Sequence, residues 1–256
     1  MIKAAFFDVD GTLVSHASKS VPQSARAAVQ ALREKGIPCI IATGRQMGEM
    51  EALPVGDMEF DGYITLNGQL CLDGNKKMLF GVPLEGEAKA LLLDLFENHR
   101  VPVSFSEEDR MYLNYVSPEV QQVQEAISSP IPPVGRYTGA PLYLACIYIP
   151  GGVHPCLPIL REHCIVTWWN SGGADVITRG GGKVKGIQRY LEANGIRPEE
   201  IIAFGDGEND LEMLQFAGIG VAMGNAEEAV KQAADYVTAD IDDDGIAKAL
   251  KHFELI

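Results

Sequence analysis

The sequence predicts an α/β fold in which an inserted α+β domain interrupts a doubly wound parallel-sheet core. Three observations support this fold class. Short apolar runs alternate with helix-like patterns in the first and last thirds of the 256 residues, which is typical of a parallel sheet. The middle third instead mixes helices with adjacent strands, as in an α+β module. A hydrophobic content of 46% is ample for a core, and 256 residues suffice for one large α/β domain or two smaller ones. The change of pattern favours a Rossmann-like core with a second, inserted domain.

The first third begins with an apolar run, from Ile2 to Phe7, which reads as a buried central strand because a Gly-Thr turn signal follows it closely. Apolar residues at helical spacing then predict a helix that stops at Gly36. The Asp73-Gly74 dipeptide predicts a hairpin turn. The remaining elements predicted here are a helix at 22–35, a strand at 37–42, a short helix at 46–53 and a strand at 62–66.

Alternating strands and helices return after the glycine-rich segment 179–182, which reads as a linker. The predicted elements there are helices at 184–194, 210–216, 227–234 and 246–253 and strands at 201–204, 219–222 and 236–238. The middle third is predicted to hold helices at 85–99, 118–127 and 156–162 and strands at 101–105, 111–116, 142–149, 165–169 and 174–178. We therefore expect a core of residues 1–82 and 183–256 and an inserted domain of residues 83–182.

Composition argues against several classes of partner. The formal net charge is −14, without any cluster of Lys or Arg, so nucleic acid and anionic membrane surfaces are poor partners. Five scattered cysteines without a Cys-x-x-Cys pair suit a reducing compartment. Acids at positions 8 and 10 oppose a signal peptide, and the longest apolar run, 142–149, is too short to span a bilayer. These features predict a cytoplasmic protein.

Asp8 and Asp10 follow the first predicted strand directly. Side chains two residues apart on a strand point to the same face, so these carboxylates should compete for one small volume. At about 4 Å and an effective dielectric constant near 20, two such charges repel by roughly 4 kcal/mol. The pair therefore predicts a nearby cation.

Polar residues also follow the other predicted core strands. Parallel strands end at one edge of a sheet, so the loops that follow them should lie together. The residues gathered there would be Asp8, Asp10, Thr43, Asp206, Asn209, Asp210 and a lysine from the segment beginning at Lys183. Hard oxygen ligands without His or Cys favour Mg²⁺, while the lysine, the hydroxyl and backbone N–H groups favour an anion. A cation beside an anion-binding surface predicts a phosphoryl-transfer site.

These motifs resemble those of the haloacid dehalogenase-like (HAD) phosphatase superfamily, and in particular its Cof-like sugar-phosphatase branch. The matching segments are Asp-Val-Asp-Gly-Thr at 8–12, Thr-Gly-Arg at 43–45, Lys183, Gly-Asp-Gly-Glu-Asn-Asp at 205–210, Asn67-Gly68 and Met-Gly-Asn-Ala at 223–226. The resemblance covers the whole core, and the inserted third falls where these phosphatases carry an α+β cap. The first four of these segments, in this order, form a specific signal, whereas any one of them alone would be weak.

The resemblance implies a role for each matched residue. Asp8 would be the nucleophile that forms an aspartyl-phosphate, kept ionised by Mg²⁺ and Lys183, and Asp10 the general acid and base. The implied Mg²⁺ ligands are Asp8, Asp206, Asp210 through water, and the backbone carbonyl of Asp10. The implied phosphoryl contacts are Thr43, the N–H of Gly44, Lys183 and Asn209. Arg45 and Asn67 are further candidates for substrate contact.

Several assignments remain open at this level. Lys185 lies close enough to Lys183 that either could face the phosphate, although the spacing to Gly186 favours Lys183. Arg45 could equally form a surface ion pair. Asn67 and Asn225 are more typical of turn and helix-capping positions than of ligand contacts.

The sequence thus predicts a Mg²⁺-dependent phosphoric monoester hydrolase that acts on a small phosphorylated metabolite, a sugar phosphate. By resemblance, the cap would exclude water and select the leaving group. Two alternatives remain: a phosphomutase that uses the same aspartyl-phosphate, and a phosphate-sensing module without turnover. A proton carrier at Asp10 favours turnover over sensing. Both a monomer and a homodimer are compatible with the sequence.

Overall fold

The two outer thirds of the chain build one sheet, and the middle third builds another, in a computed structural model that describes residues 1–126 and 129–256. The strands are β1 Ala4–Phe7, β2 Cys39–Ala42, β3 Gly62–Thr65, β4 Leu70–Asp73, β5 Met78–Gly81, β6 Val103–Ser106, β7 Met111–Leu113, β8 Leu144–Tyr148, β9 Cys164–Trp168, β10 Gly173–Thr178, β11 Ile201–Gly205, β12 Ile219–Ala222 and β13 Tyr236–Val237. The helices are α1 Gln23–Glu34, α2 Met47–Ala52, α3 Gly86–Glu97, α4 Pro118–Ala126, α5 Cys156–His163, α6 Lys183–Asn194, α7 Leu211–Phe216, α8 Glu228–Ala233 and α9 Gly245–His252. The predicted end of α4 at Ile127 lies outside the described residues.

The core sheet has the strand order β13-β12-β11-β1-β2-β3-β4-β5. Its pairs from β13 to β3 are parallel, with β1 paired to β11 on one side and to β2 on the other. β4 runs antiparallel to β3, and the hairpin predicted at Gly74 connects β4 to β5. This sheet confirms the predicted α/β class with a parallel-sheet core.

Helices cover both faces of the core sheet. Neighbouring side chains of a strand point to opposite faces, so the apolar residues of β1 pack against helices on both sides. Phe7 packs with α1 and α9 on one face and stacks on Phe204 at a centroid distance of 5.1 Å. Phe6 lies on the other face against Tyr190 of α6, at 5.8 Å. Complete burial of such an aromatic side chain stabilises a fold by about 1.5–3 kcal/mol. The doubly wound arrangement thus follows from the apolar run of β1.

The middle third has its own sheet, with the antiparallel order β7-β6-β8-β10-β9. One face of it packs on α3 and α5, where Phe96 stacks on Phe105 at a centroid distance of 4.4 Å. On α4, the Gln124 side chain donates to the Tyr148 hydroxyl at 2.9 Å. This antiparallel module with helices confirms the predicted α+β character.

Two compact units result, one formed by Met1–Phe80 with Gly182–Ile256 and the other by Gly81–Gly181. Within residues 1–126 and 129–256, no helix combines the length and the apolar character needed to cross a bilayer.

One element boundary was predicted incorrectly near the strand-end loops. The predicted strand 62–66 includes Leu66, but β3 ends at Thr65 and Leu66 has a φ of +52°. This left-handed conformation is incompatible with a strand. The chain instead enters a 3₁₀ turn at Leu66–Gly68.

Candidate active site

Three carboxylates meet where β1 and β11 end. Asp8 follows β1, while Asp206 and Asp210 follow β11, and one oxygen of each lies within 4.8 Å of the others. Asp210 also shapes its own loop, because its second oxygen accepts from the N–H groups of Asp206 at 3.1 Å and Gly207 at 3.0 Å. Parallel strands end at the same edge, so this convergence follows from the sheet.

Lys183, the first residue of α6, lies against this cluster. Its Nζ donates to Asp8 Oδ1 at 2.5 Å and to Asp210 Oδ1 at 2.7 Å, and all three side chains are buried. Burial alone would lower the pKa of Lys183, but the charges of Asp210 and Asp8 raise it, so the ammonium stays charged. Lys185, in contrast, is exposed and bonds to Gln188 at 3.0 Å. The structure therefore brings Lys183, rather than Lys185, to Asp8.

The single positive charge of Lys183 does not balance the negative charges of Asp8, Asp206 and Asp210. Burial, followed by repulsion from Asp210, raises the pKa of Asp8 well above its usual range despite the opposing charge of Lys183. Burial also raises the pKa of Asp206 to about 7, against the opposing hydrogen bond from Thr12. The charge of Lys183 therefore opposes, but does not cancel, the effects that raise the pKa of Asp8. The oxygens of Asp8, Asp206 and Asp210 could hold a cation between them, and an all-carboxylate donor set fits Mg²⁺.

Asp10 has a different cationic partner. Its two oxygens accept from Arg45 Nε at 2.6 Å and Nη2 at 2.7 Å, in a bidentate pair of the strong kind. Arg45 Nη1 also lies 3.6 Å from Glu49 Oε1. β1 ends at Phe7, so Asp8 and Asp10 do not share a strand. Their charges still interact, because Asp10 is one of the groups that raise the pKa of Asp8. Arg45, predicted as a substrate or surface residue, is occupied by Asp10.

Thr43 and Gly44 follow β2 at the same sheet edge. The buried Thr43 hydroxyl accepts from the N–H of Arg45 at 3.2 Å, and the Thr43 N–H donates to the carbonyl of Ile64 at 2.8 Å. A Cβ atom at Gly44 would lie 3.1 Å from the side-chain oxygen of Asn67. The absence of a side chain at Gly44 therefore lets this loop pass close to Asn67.

The two candidate asparagines contact each other. Asn209 Nδ2 donates to Asn67 Oδ1 at 3.3 Å, and this hydrogen bond joins loops that follow β11 and β3. Asn209 is exposed, whereas Asn67 is buried.

Two further side chains hold loops of this site: Thr12, which the sequence analysis does not single out, and Asn225, which it assigns to a turn or helix-capping position. The Thr12 hydroxyl donates to Asp206 Oδ1 at 2.7 Å. Asn225 Nδ2 donates to the carbonyl of Gly11 at 2.8 Å, and its oxygen accepts from the N–H of Ile241 at 3.0 Å. Both residues lie inside the quoted motifs, which was the available signal, but their partners are distant in sequence.

The close approach of the loop after β1 to Asp206 requires a glycine at position 11. It has a φ of +83°, and a Cβ atom there would lie 2.1 Å from Asp206 Oδ2. The loop after β1 can therefore approach the carboxylate cluster only without a side chain at this position.

Comparison with known proteins shows the family to which the chain belongs. The chain belongs to the haloacid dehalogenase-like hydrolase family, whose model matches residues 5–250. It is 32% identical to the putative phosphatase YkrA of Bacillus subtilis, over 99% of this chain and 98% of that protein. Among solved structures, the phosphatase BT1666 of Bacteroides thetaiotaomicron has a TM-score of 0.87 at 33% identity and covers 100% of this chain and 96% of its own. The HAD subclass IIB sugar phosphatase BT4131 has a TM-score of 0.83 at 35% identity, with 99% and 100% covered.

These similarities confirm the Cof-like resemblance and the predicted enzyme class. The protein is a phosphoric monoester hydrolase of the HAD-like type.

Proposed function

We propose that this protein is a Mg²⁺-dependent phosphatase that hydrolyses a sugar phosphate or a similarly small phosphorylated metabolite through an aspartyl-phosphate on Asp8. The observation that carries this proposal is the meeting of Asp8, Asp206, Asp210 and Lys183 at one sheet edge. The similarity to the sugar phosphatase BT4131 supports the substrate class.

Asp8 is the proposed nucleophile. Its carboxylate oxygen attacks phosphorus, a P–O bond forms, and the bond from phosphorus to the leaving oxygen breaks. Lys183 bonds to Asp8 and holds positive charge where the phosphoryl group would bind. Thr43, the N–H of Gly44 and Asn209 would hold the phosphoryl oxygens, since they follow strands that end at this edge.

Asp10 is the proposed proton carrier. In its protonated form it gives the proton to the leaving oxygen; as a carboxylate it then takes one from the water that attacks the aspartyl-phosphate, and inorganic phosphate leaves. The bidentate pair with Arg45 engages both carboxylate oxygens of Asp10. Asp10 therefore has to release Arg45 at least partly before it can donate a proton.

The metal would be held by Asp8, Asp206 and Asp210, with the backbone carbonyl of Asp10 as a further ligand. Their all-oxygen donor set is the structural reason for choosing Mg²⁺. Bound there, Mg²⁺ would supply the positive charge that offsets the crowded carboxylates and the phosphoryl oxygens.

The proposal also assigns a role to each part of the chain. Residues 1–82 and 183–256 would be the catalytic core, because they hold every residue of the proposed site. Residues 83–182 would be the cap that selects the leaving group, in a cytoplasmic enzyme.

The test is a screen of phosphorylated metabolites with the purified chain and Mg²⁺, measuring free phosphate. Asp8→Asn should abolish turnover, and Asp57→Asn, a change at an exposed acid bonded to Arg26, should leave it unchanged. Conversion of the substrate into an isomeric phosphate ester, without release of phosphate, would show a phosphomutase instead. A stable phosphoprotein without turnover would show a sensing module, and activity retained by Asp8→Asn would overturn the mechanism.

A further inference from the structure

Three successive residues after β3 adopt left-handed backbone conformations. The φ angles of Leu66, Asn67 and Gly68 are +52°, +53° and +85°. Glycine adopts this region freely and asparagine tolerates it, but leucine rarely does. All three residues are buried, so the surrounding structure must impose the turn. Strained segments of this kind cluster at functional sites, which makes the contacts of the turn informative.

The backbone of the turn is fixed on two sides. On one side, the N–H groups of Leu66 and Asn67 donate to the carbonyls of Arg45 at 3.1 Å and Thr43 at 3.0 Å. On the other side, a Cβ atom at Gly68 would lie 2.1 Å from the carbonyl oxygen of Gly182, directly before Lys183. The turn therefore lies between the Thr43–Arg45 loop and the beginning of α6.

The Asn67 side chain adds a third loop to these contacts. Its Oδ1 accepts from Asn209 Nδ2 at 3.3 Å and lies beside Gly44, where a Cβ atom would be only 3.1 Å away. A carboxamide NH₂ group carries two hydrogens, so Asn209 can donate to Asn67 and to a phosphoryl oxygen at the same time. Because Asn67 already holds the Asn209 side chain, that side chain would not have to become ordered when the phosphoryl group binds.

We propose that Asn67 is a positioning residue that orients the phosphoryl-binding groups. Its backbone holds the loop of Thr43 and Gly44, and its carboxamide orients Asn209. The inference rests on the proposed function, which assigns Gly44 and Asn209 to phosphoryl binding. In this proposal Asn67 acts on the reaction through these two groups.

The decisive variant is Asn67→Gly, because glycine keeps the left-handed backbone and removes only the carboxamide. We expect kcat on p-nitrophenyl phosphate with Mg²⁺ to fall about tenfold, less than the 10²–10³-fold cost of deleting a donor to a developing oxyanion. The inhibition constant of inorganic phosphate should rise, and the melting temperature should stay close to that of the wild type. The matched control is Lys76→Gly, which makes the same backbone change at an exposed residue with a φ of +63°, and should leave kcat unchanged.

A double-mutant cycle with Asn209→Ala separates positioning from a general structural role. If Asn67 acts through Asn209, adding Asn67→Gly to Asn209→Ala should lower kcat by no more than about twofold further. Fully multiplicative losses would overturn the proposal, as would an Asn67→Gly variant with wild-type kcat. A wild-type chain that hydrolyses no phosphate ester would instead contradict the proposed function itself.

Discussion

At the scale of single residues, the acids of the site differ in the groups that face them. Asp8 and Asp210 share the ammonium of Lys183, and Asp10 is paired with Arg45. Asp206 accepts instead from the neutral hydroxyl of Thr12. The roles proposed for these acids, as nucleophile, proton carrier and metal ligand, need different environments, and their partners differ accordingly.

Exchanging each of the two neighbouring lysines tests the assignment of Lys183. Lys183→Gln should lower kcat by about 10²–10³-fold because a fixed positive charge at the transferring group is lost. It should also destabilise the protein by about 3–5 kcal/mol, since buried acids lose their partner. Lys185→Gln, at an exposed position, should change stability by less than about 0.5 kcal/mol. Urea unfolding and steady-state kinetics measure both effects; comparable losses in the two variants would refute the assignment.

Gly11 allows a test of steric fit against backbone strain. Gly11→Ala adds a methyl group that collides with Asp206, at a φ of +83°. Gly36→Ala has similar strain at +76°, but no atom lies within 4 Å of the added carbon. Both variants should lose about 1–2 kcal/mol of stability from strain, measured by chemical denaturation. Only Gly11→Ala should also lose Mg²⁺ affinity, measured by calorimetry; normal affinity there would contradict the structure.

The residues that sequence could predict are those whose position depends only on the end of a strand. Asp8, Thr43 and Asp206 follow β1, β2 and β11, so sheet topology alone places them together. The pairing of Arg45 with Asp10 and the bond from Asn225 to Gly11 depend on side-chain orientation across separate loops. No local pattern encodes those orientations, and they required the structure.

At the scale of elements, the position of α6 determines the position of Lys183. Gly186 lies one turn into this helix, and a Cβ atom there would lie 2.5 Å from Ile64 Cγ2 and 3.0 Å from the Cα of Gly68. The helix therefore packs closely on β3 and on the left-handed turn. The incorrectly predicted end of β3 has the same origin, because tertiary packing at Leu66 overrides the strand pattern.

Alanine substitution tests this close packing. Gly186→Ala should displace α6 and lower kcat at least tenfold, since a misplacement of about 1 Å can cost 10²-fold in rate. Gly48→Ala, in α2 with no atom within 4 Å, should keep full activity. It should gain about 0.5–1 kcal/mol of stability because alanine favours helices over glycine. Equal activity in both variants would show that α6 tolerates a shift.

At the scale of the whole molecule, the sequence predicted the two-sheet architecture because periodicity is a property of long segments. Each sheet is buried against its own helices, and each unit has a separate apolar core. The net charge of −14 adds self-repulsion, which the uncompensated carboxylates of the site increase locally. Global stability should therefore depend on both pH and divalent cations.

The sign of this dependence follows from the raised pKa values. A carboxyl group whose pKa is higher in the folded chain stabilises the fold below its unfolded pKa, and this contribution disappears as pH rises through the folded pKa. For Asp206, this stabilising contribution is lost as the pH rises from about 4 to about 7. The pKa of Asp8 is shifted in the same direction. Mg²⁺ would replace these protons, so it should raise the melting temperature more at pH 8 than at pH 5.

Differential scanning calorimetry with Mg²⁺ or with EDTA at the two pH values measures this effect. Asp206→Asn should remove much of the pH-dependent part, because the amide does not titrate. An equal Mg²⁺ shift at pH 5 and pH 8 would contradict the link between the carboxylate cluster and the metal.

The pairing of β1 with β11 has a consequence for folding during synthesis on the ribosome. Lys183 is 175 residues from Asp8, and Asp206 is 194 residues from Thr12. At about 5–20 residues per second, synthesis of this intervening stretch takes roughly 10–40 s. During that interval β1 can pair only with β2, and the middle unit can already fold. The complete active site should therefore form late and in one step, when β11 pairs with the edge of β1 that β2 leaves unpaired.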